Sequence, residues 1–174
     1  MAAPVEVIFF DLGDTLVASG GTFVSGAEAL LADLAARGVR LGIISNTGDW
    51  TREQLSAHLP PAFPWGRFEP GLVVLSSEVH VEKPNPTIFR LAVLRAGVAA
   101  TQCLYCSESL LEALAAQAAG LLAARIQPPP HSELGELLNG LMKSALLPAH
   151  EQPSPVPLWS LPAADRSRRR RFAS

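Results

Sequence analysis

Apolar and polar positions alternate regularly along the first two thirds of the chain. Short runs rich in β-branched and aromatic residues, typical of buried strands, are separated by segments whose apolar residues recur at helical spacing. The predicted strands are 5–10, 39–44, 72–75, 103–106 and 121–126. The predicted helices are 25–37, 51–59 (with Asp49 as its candidate N-cap), 86–96 and 110–119. Strict alternation of strand and helix predicts an α/β three-layer sandwich, in which helices cover both faces of a parallel sheet of about five strands.

The pattern changes after residue 126. Eight of the fifteen prolines lie in the remaining 48 residues, and proline at this density fixes the backbone and removes hydrogen-bond donors. One short helix near 132–146, with leucines along one face, is predicted within this part. We therefore predict a core domain over residues 1–126 and a proline-rich tail over residues 127–174.

Composition and charge narrow the class of protein. The chain has 174 residues, 48% of them hydrophobic, which suits one domain with a real core. Its net charge is −2. Residues 1–126 carry 8 Lys or Arg and 12 Asp or Glu, whereas the tail carries 6 Lys or Arg and 4 Asp or Glu. The tail includes five arginines within residues 166–171. Such a run could bind a nucleic acid, an anionic lipid surface or an acidic protein partner. It could equally be a solvated terminus that binds nothing.

Two further patterns bear on location. The N-terminal residues lack the basic segment of a signal peptide, and the chain has no uninterrupted apolar run of the length that crosses a bilayer. We therefore expect no membrane span and a cytoplasmic protein.

Polar side chains follow the predicted strands. Because parallel strands present their carboxyl ends at one edge of the sheet, these side chains are expected to converge there. They are Asp11, Gly13, Asp14 and Thr15 after the first strand, Ser45 and Asn46 after the second, Ser76, Ser77, Glu78 and Lys83 after the third, and Ser107, Glu108 and Glu112 after the fourth. Carboxylates suit a hard cation such as Mg²⁺, while lysine, hydroxyls and backbone amides suit a phosphate. The pattern predicts a site for both.

Four motifs in this order resemble those of the haloacid dehalogenase-like hydrolase superfamily. They are FFDLGDTL at 9–16, IISNT at 43–47, the segment 76–89 with Lys83-Pro84, and the segment 104–120 that ends in Ala-Ala-Gly. The resemblance covers about residues 5–126 and implies a Rossmann-like fold. It also implies hydrolysis of phosphomonoesters through an aspartyl-phosphate on Asp11, with the Ser45 hydroxyl on the phosphoryl group and Lys83 offsetting its charge.

The resemblance implies the remaining roles as well. Thr15 and Asn46 are the further candidates for substrate binding. Magnesium would be the cofactor, and its candidate ligands are Asp11, the Gly13 carbonyl, Glu108 and Glu112. A phosphorylated substrate would be the principal partner.

Three departures from the family pattern leave two interpretations open. Gly13 stands where the family's phosphatases carry a second Asp as general acid and base, and Asp14 follows it. The usual Gly-Asp pair is lost, so that either Glu108 or Ser107 takes the place of the leading acid, and Glu112 replaces the trailing Asp. The chain is then either a phosphohydrolase of weak or narrow activity, or a catalytically impaired pseudoenzyme that binds a protein partner.

The spacing between motifs bears on the substrate. Only about thirty residues separate Asp11 from Ser45, and core elements fill the space from Ser45 to Lys83, so neither of the family's usual cap domains has room. Capless relatives tend to act on large substrates or to use another chain as a lid. A macromolecular substrate is therefore one candidate, and the tail is a candidate for binding a protein partner. The aromatic segment 60–68 is expected to be a surface loop anchored in the core, with a role in the substrate rim as the alternative.

Overall fold

The structure, a computed structural model, describes residues 4–127 together with residues 134, 136 and 140. In chain order its elements are β1 (Val7–Phe10), β2 (Val17–Ala18), β3 (Thr22–Phe23), α1 (Ala27–Ala36), β4 (Arg40–Ser45), α2 (Arg52–Ser56), β5 (Val73–Leu75), α3 (Ser76–Val79), α4 (Pro86–Ala96), β6 (Cys103–Ser107), α5 (Leu110–Ala118) and β7 (Leu122–Arg125). Short 3₁₀ turns join some of them. The main sheet has the order β5-β4-β1-β6-β7, and all its strands are parallel. The predicted α/β sandwich is confirmed.

Strand β1 lies at the centre of the sheet and is buried on both faces. Successive side chains of a strand point to opposite sides, so Ile8 and Phe10 pack in the layer that contains α1. Val7 and Phe9 pack in the opposite layer, with α4 and α5. Both clusters are apolar, which explains why this strand shows a continuous apolar run rather than an alternating one.

Gly42 allows β1 and β4 to pack closely. It lies opposite Phe9 in the parallel pairing, and a Cβ atom at this position would lie 2.5 Å from the Phe9 ring and 2.8 Å from the Leu72 carbonyl oxygen. The site depends on this packing, because Asp11 and Ser45 stand at the ends of these two neighbouring strands.

Helix α2 departs from its prediction. It covers five residues instead of nine, and its N-cap is Thr51 rather than Asp49. The Thr51 Oγ1 accepts a hydrogen bond from the Gln54 backbone N–H at 3.2 Å, and the Gln54 Oε1 accepts one from the Thr51 N–H at 2.9 Å. This reciprocal capping box satisfies two backbone donors at the helix start, which a lone Asp49 two residues earlier does not.

The two segments in which a cap domain could be inserted contain only small elements. Residues 11–26 contain the antiparallel hairpin of β2 and β3, and residues 46–72 contain α2 and the aromatic loop. Within residues 4–127, no further domain is inserted at either place. Phe63 and Phe68 of the loop are buried and stack with their ring centroids 5.7 Å apart, so the expectation of core anchors is confirmed.

The described residues reach a short way past the predicted domain boundary. Residues 134, 136 and 140 are helical, and Leu134 is fully buried in the same cluster as α1. The boundary after residue 126 stays a prediction, and the rest of the predicted helix near 132–146 and the arginine run at 166–171 lie outside the described residues. No helix in the described part of the chain is long and apolar enough to cross a membrane.

Candidate active site

The ends of β1, β4 and β6 meet at one edge of the sheet. Asp11 follows β1 directly, and its backbone N–H donates to the Cys106 carbonyl of β6 at 3.0 Å. Ser45 is the last residue of β4, and Ser107 is the last residue of β6. All three side chains are buried. The sheet therefore brings the predicted nucleophile, the predicted phosphate-binding hydroxyl and the start of the last motif together.

Lys83 reaches this edge from the loop before α4. Its Nζ lies 2.7 Å from Asp11 Oδ1 and 2.9 Å from Glu112 Oε2, with a side chain only 1% exposed. Asn46 holds the backbone of Lys83 from both sides, since its Oδ1 accepts from the Lys83 N–H at 2.8 Å and its Nδ2 donates to the Lys83 carbonyl at 2.9 Å. The structure thus shows Asn46 positioning Lys83, and its predicted contact with substrate stays a prediction.

The electrostatics of Asp11 follow from its burial. Removal from water raises the pKa of Asp11 from 3.8 to about 6, while the Lys83 ammonium opposes this rise through its charge and its hydrogen bond. The carboxylate form is therefore costly unless a cation accompanies it. Lys83 supplies one positive charge, and a second cation beside Asp11 would lower its pKa further.

Two glutamates follow β6, and each is held by hydroxyl groups. Glu108 Oε2 accepts from Thr15 Oγ1 at 2.9 Å and from Ser107 Oγ at 3.2 Å. Glu112 Oε2 accepts from Lys83 Nζ, from Ser107 Oγ at 3.0 Å and from the Tyr105 hydroxyl at 2.6 Å. The Ser107 hydroxyl has one proton, so it can donate to only one of the two glutamates at a time.

Tyr105 is a site residue that the sequence pattern did not reveal. Its hydroxyl accepts a hydrogen bond from Lys83 Nζ at 3.0 Å while it donates to Glu112. Burial, with Asp11 and Glu112 close by, raises the pKa of Tyr105 far above its ordinary value, so the group stays protonated. One signal existed, because a tyrosine in a buried strand needs a partner for its hydroxyl, and this one lies two residues before the polar strand end.

The comparisons with known proteins agree with this geometry. Residues 5–120 match the family model for haloacid dehalogenase-like hydrolases. The chain belongs to this family. Among curated relatives, the phosphoglycolate phosphatase of Rhodospirillum rubrum is 33% identical over 104 residues, which cover 59% of this chain and 41% of the relative. The phosphoserine phosphatase of Thermus thermophilus is 40% identical over 75 residues, which cover 42% and 27%. The chain thus spans less than half the length of these relatives.

Solved structures of the family share the fold. A haloacid dehalogenase-like (HAD) family hydrolase from Deinococcus radiodurans, with bound phosphate and sodium, superposes with a TM-score of 0.70 at 19% identity, covering 84% of this chain and 100% of that one. A HAD family enzyme from Bacteroides thetaiotaomicron, in complex with magnesium and inorganic phosphate, gives a TM-score of 0.64 at 14% identity, covering 76% and 98%. At these identities the likeness concerns the fold alone.

The residues that the family pattern suggests for magnesium offer suitable oxygen atoms. Thr15 ties the loop after β1 to Glu108, so the Asp11 and Gly13 segment and the first glutamate belong to one hydrogen-bonded unit. Glu108 uses only its Oε2 in the side-chain hydrogen bonds of the described residues. Carboxylate and carbonyl oxygens are the donors that Mg²⁺ prefers, and this set fits it. Among residues 4–127 no three His, Cys, Asp or Glu side chains form a metal cluster, so Asp11, Glu108 and Glu112 do not come together as a site of three carboxylates.

The position of the family's general acid is occupied by Gly13, and the neighbouring Asp14 faces a cavity. Asp14 adopts a left-handed backbone with φ of 50°, which Asp tolerates better than most residues. Its N–H donates to the Val17 carbonyl at 2.8 Å. Asp14 lines a cavity of about 780 Å³ together with Gly13, Ser45 and Asn46. Asp14 therefore borders the same cavity as Ser45 and Asn46.

Proposed function

We propose that the chain is a phosphohydrolase of the HAD-like family that cleaves phosphomonoesters through an aspartyl-phosphate on Asp11. The observation that carries the proposal is the buried pair of Asp11 Oδ1 and Lys83 Nζ, 2.7 Å apart, at the strand end next to Ser45. A buried carboxylate held beside a fixed ammonium is placed for attack on an anionic phosphoryl group, because the ammonium offsets the charge that accumulates there. The curated relatives that match the chain are phosphatases, which supports the same reaction class.

The residues divide the reaction between them. An oxygen of Asp11 attacks phosphorus, and the bond from phosphorus to the ester oxygen breaks as the new bond forms. The Ser45 hydroxyl donates to a phosphoryl oxygen and Lys83 balances the charge. Asp14 gives its proton to the departing oxygen, then takes a proton from the water that hydrolyses the aspartyl-phosphate. This second step restores both aspartates and releases inorganic phosphate.

Magnesium is the cofactor that we propose for this site. Asp11, the Gly13 carbonyl and Glu108 would hold it, and when bound it supplies positive charge that stabilises the phosphoryl group in the transition state. Glu112 acts differently in this scheme, because Lys83, Tyr105 and Ser107 all donate to its Oε2. It fixes Lys83, and its predicted direct contact with metal stays a prediction.

The test is hydrolysis of 4-nitrophenyl phosphate by the full chain, with and without Mg²⁺, beside Asp11→Asn. We expect release of phosphate that needs Mg²⁺ and falls at least about 1,000-fold in Asp11→Asn, since the nucleophile is lost. Asp33→Asn, on α1 where the half-buried Asp33 pairs with Arg37 and contacts none of the site residues named above, is the matched control and should retain activity. Turnover that survives Asp11→Asn would overturn the mechanism.

If the folded wild type shows no turnover, the enzyme hypothesis is wrong and the alternative of a non-catalytic binding module stands. The comparisons give that module no support. A macromolecular substrate, a protein partner on the tail and a nucleic acid partner remain predictions from the sequence.

A further inference from the structure

A cavity opens directly beside the proposed phosphoryl site. It has a volume of about 780 Å³ and begins at Gly13, Asp14, Ser45 and Asn46. One wall is β2 with the turn that follows it, and the other is formed by α2 and the residues that flank it. In the reaction proposed above, the phosphoryl group lies at Ser45, so the rest of the ester extends into this space.

The charge of the cavity is unusual for a site that receives small phosphorylated acids. Among the described residues that line it, none is Lys or Arg, and Asp14 contributes a carboxyl group. Lys83 does not line the cavity and is already paired with Asp11 and Glu112. Arg52, the cation of α2, is also outside it and pairs with Glu78 at 3.1 Å. A second anionic group on the substrate would therefore enter a space whose described lining offers no Lys or Arg to balance its charge.

The wall near α2 is aromatic and apolar. The rings of Trp50 and His58 lie 4.2 Å apart between centroids, and Trp50 is 43% exposed. Leu55, Leu59 and Pro61 continue this wall. The exposed part of the Trp50 ring gives a planar surface on which another ring can stack.

We propose that the substrate is a phosphomonoester whose leaving group carries an uncharged aromatic ring, which packs on Trp50 and His58. This inference rests on the proposed function and specifies its substrate class. Phosphoglycolate, the substrate named for several of the curated relatives, carries a carboxylate that this cavity cannot balance. The cavity thus selects by charge and by apolar contact, with the specificity residues on α2 and its flanks rather than on a separate domain.

The experiment compares three esters of similar leaving-group chemistry: 2-phenylethyl phosphate, phosphoglycolate and phosphoethanolamine. All three leave as alkoxides, so intrinsic reactivity does not decide the order. We expect kcat/KM for 2-phenylethyl phosphate to exceed both others at least tenfold. Trp50→Ala should reduce this preference at least fivefold, mainly by raising KM for 2-phenylethyl phosphate.

The control variant is Trp65→Ala. Trp65 packs edge-on against Phe63, with ring centroids 4.9 Å apart, and does not line this cavity, so the order of the three esters should not change. Equal or faster hydrolysis of phosphoglycolate or phosphoethanolamine, with the Asp11→Asn variant inactive, would overturn the substrate class and keep the phosphohydrolase. An unchanged preference in Trp50→Ala would also overturn it. No Asp11-dependent turnover of any ester would overturn both proposals.

Discussion

The two sides of the active-site edge are built in different ways. On the side of β1 and β4, Asp11, Ser45 and Lys83 match the family motifs, and Gly13 is the one departure named there. Asp11 and Asn46 both contact Lys83 directly. On the side of β6, Glu112 stands where the family carries the trailing Asp, and either Glu108 or Ser107 stands in place of the leading acid. There the carboxylates are held by hydroxyls of residues that lie between or beside them, such as Ser107 and Tyr105.

This difference indicates where the chain can vary without losing the site. A side chain that attacks phosphorus needs a fixed position, because a misplacement of about 1 Å costs on the order of 100-fold in rate. A carboxylate that holds a cation can be one methylene longer if added hydrogen bonds fix it. The first side is therefore expected to control the chemical step, and the second is expected to control metal affinity and the placement of Lys83.

Loss of the Lys83 ammonium should have the largest effect. Lys83→Met removes the cation from between the buried Asp11 and the half-buried Glu112. We expect a loss of about 3–5 kcal/mol in the free energy of unfolding, because a buried carboxyl group is left without its partner. The matched control is Arg52→Met, since Arg52 and Glu78 form an exposed pair, 38% and 39% accessible, worth at most about 1 kcal/mol. Urea unfolding of both variants measures the difference. Equal losses would contradict the view that the first side is held by this ion pair.

The pH dependence of stability tests the burial of Asp11. In metal-free protein the pKa of Asp11 is raised from 3.8 to about 6, so the folded state keeps a proton that the unfolded chain has released. The stabilisation is complete below about pH 4 and is lost as the pH rises through about 6, a change on the order of 3 kcal/mol. We expect wild type, but not Asp11→Asn, to show this fall when unfolding is measured in EDTA across that range. Parallel pH profiles would contradict it.

The role of Asp14 can be separated from that of the nucleophile. Asp14→Asn should slow hydrolysis of 2-phenylethyl phosphate by about 100-fold, because an alkoxide needs a proton as it leaves. For 4-nitrophenyl phosphate, kcat/KM should fall less than about threefold, because nitrophenolate leaves without a proton. The comparison uses kcat/KM for the two esters, which reports formation of the aspartyl-phosphate alone, since steady-state kcat also includes the hydrolysis step in which Asp14 acts as base. A similar loss on both would mean that Asp14 shapes the loop and transfers no proton.

One rule of sheet topology predicts most of the site from the sequence. Parallel strands end at the same edge, so the order of the strands along the chain is enough to bring Asp11, Ser45 and Glu108 together. Tyr105 is not predicted as a site residue because it lies within an apolar strand, where its hydroxyl gives no periodic signal. The positioning role of Asn46 is not predicted either. It consists of hydrogen bonds to the backbone of Lys83, which no pattern of side chains encodes.

The sequence predicts the elements of the fold about as completely as it predicts the site residues. The helix 86–96 is predicted with its observed ends and with Pro86 in its first turn. The structure adds its caps, Asn85 at the start and Gly97 at the end. The hairpin of β2 and β3 and the helix α3 were missed, since segments of two and four residues are too short to show a period. Helix α2 ends at Ser56 rather than Leu59, because the chain tightens there: the His58 N–H donates to the Leu55 carbonyl at 2.9 Å and the Leu59 N–H to the Ser56 carbonyl at 3.4 Å, three residues back instead of four.

Ser107→Ala tests the β6 side of the active-site edge. Loss of this buried hydroxyl removes a donor shared by Glu108 and Glu112, and we expect the Mg²⁺ concentration for half-maximal velocity to rise about tenfold. The control is Ser76→Ala, whose buried hydroxyl accepts from the Thr47 N–H at 2.9 Å. That variant should lose about 1 kcal/mol of stability with no change in Mg²⁺ requirement. A shift of equal size in both variants would assign the effect to general loosening.

The smallest effect is expected from Tyr105→Phe, which probes the connection between the two sides. The variant removes the hydroxyl that accepts from Lys83 and donates to Glu112, and it keeps the ring that packs on Phe89 at 4.9 Å. Lys83 retains its contacts with Asp11 and Glu112, so one hydrogen bond is lost, and kcat should fall about three- to tenfold. KM for 4-nitrophenyl phosphate should stay within about twofold, because the hydroxyl acts on Lys83 and does not contact substrate. An unchanged kcat would mean that Asp11 and Glu112 alone fix the ammonium, and that the hydroxyls of the β6 side do not influence the nucleophile.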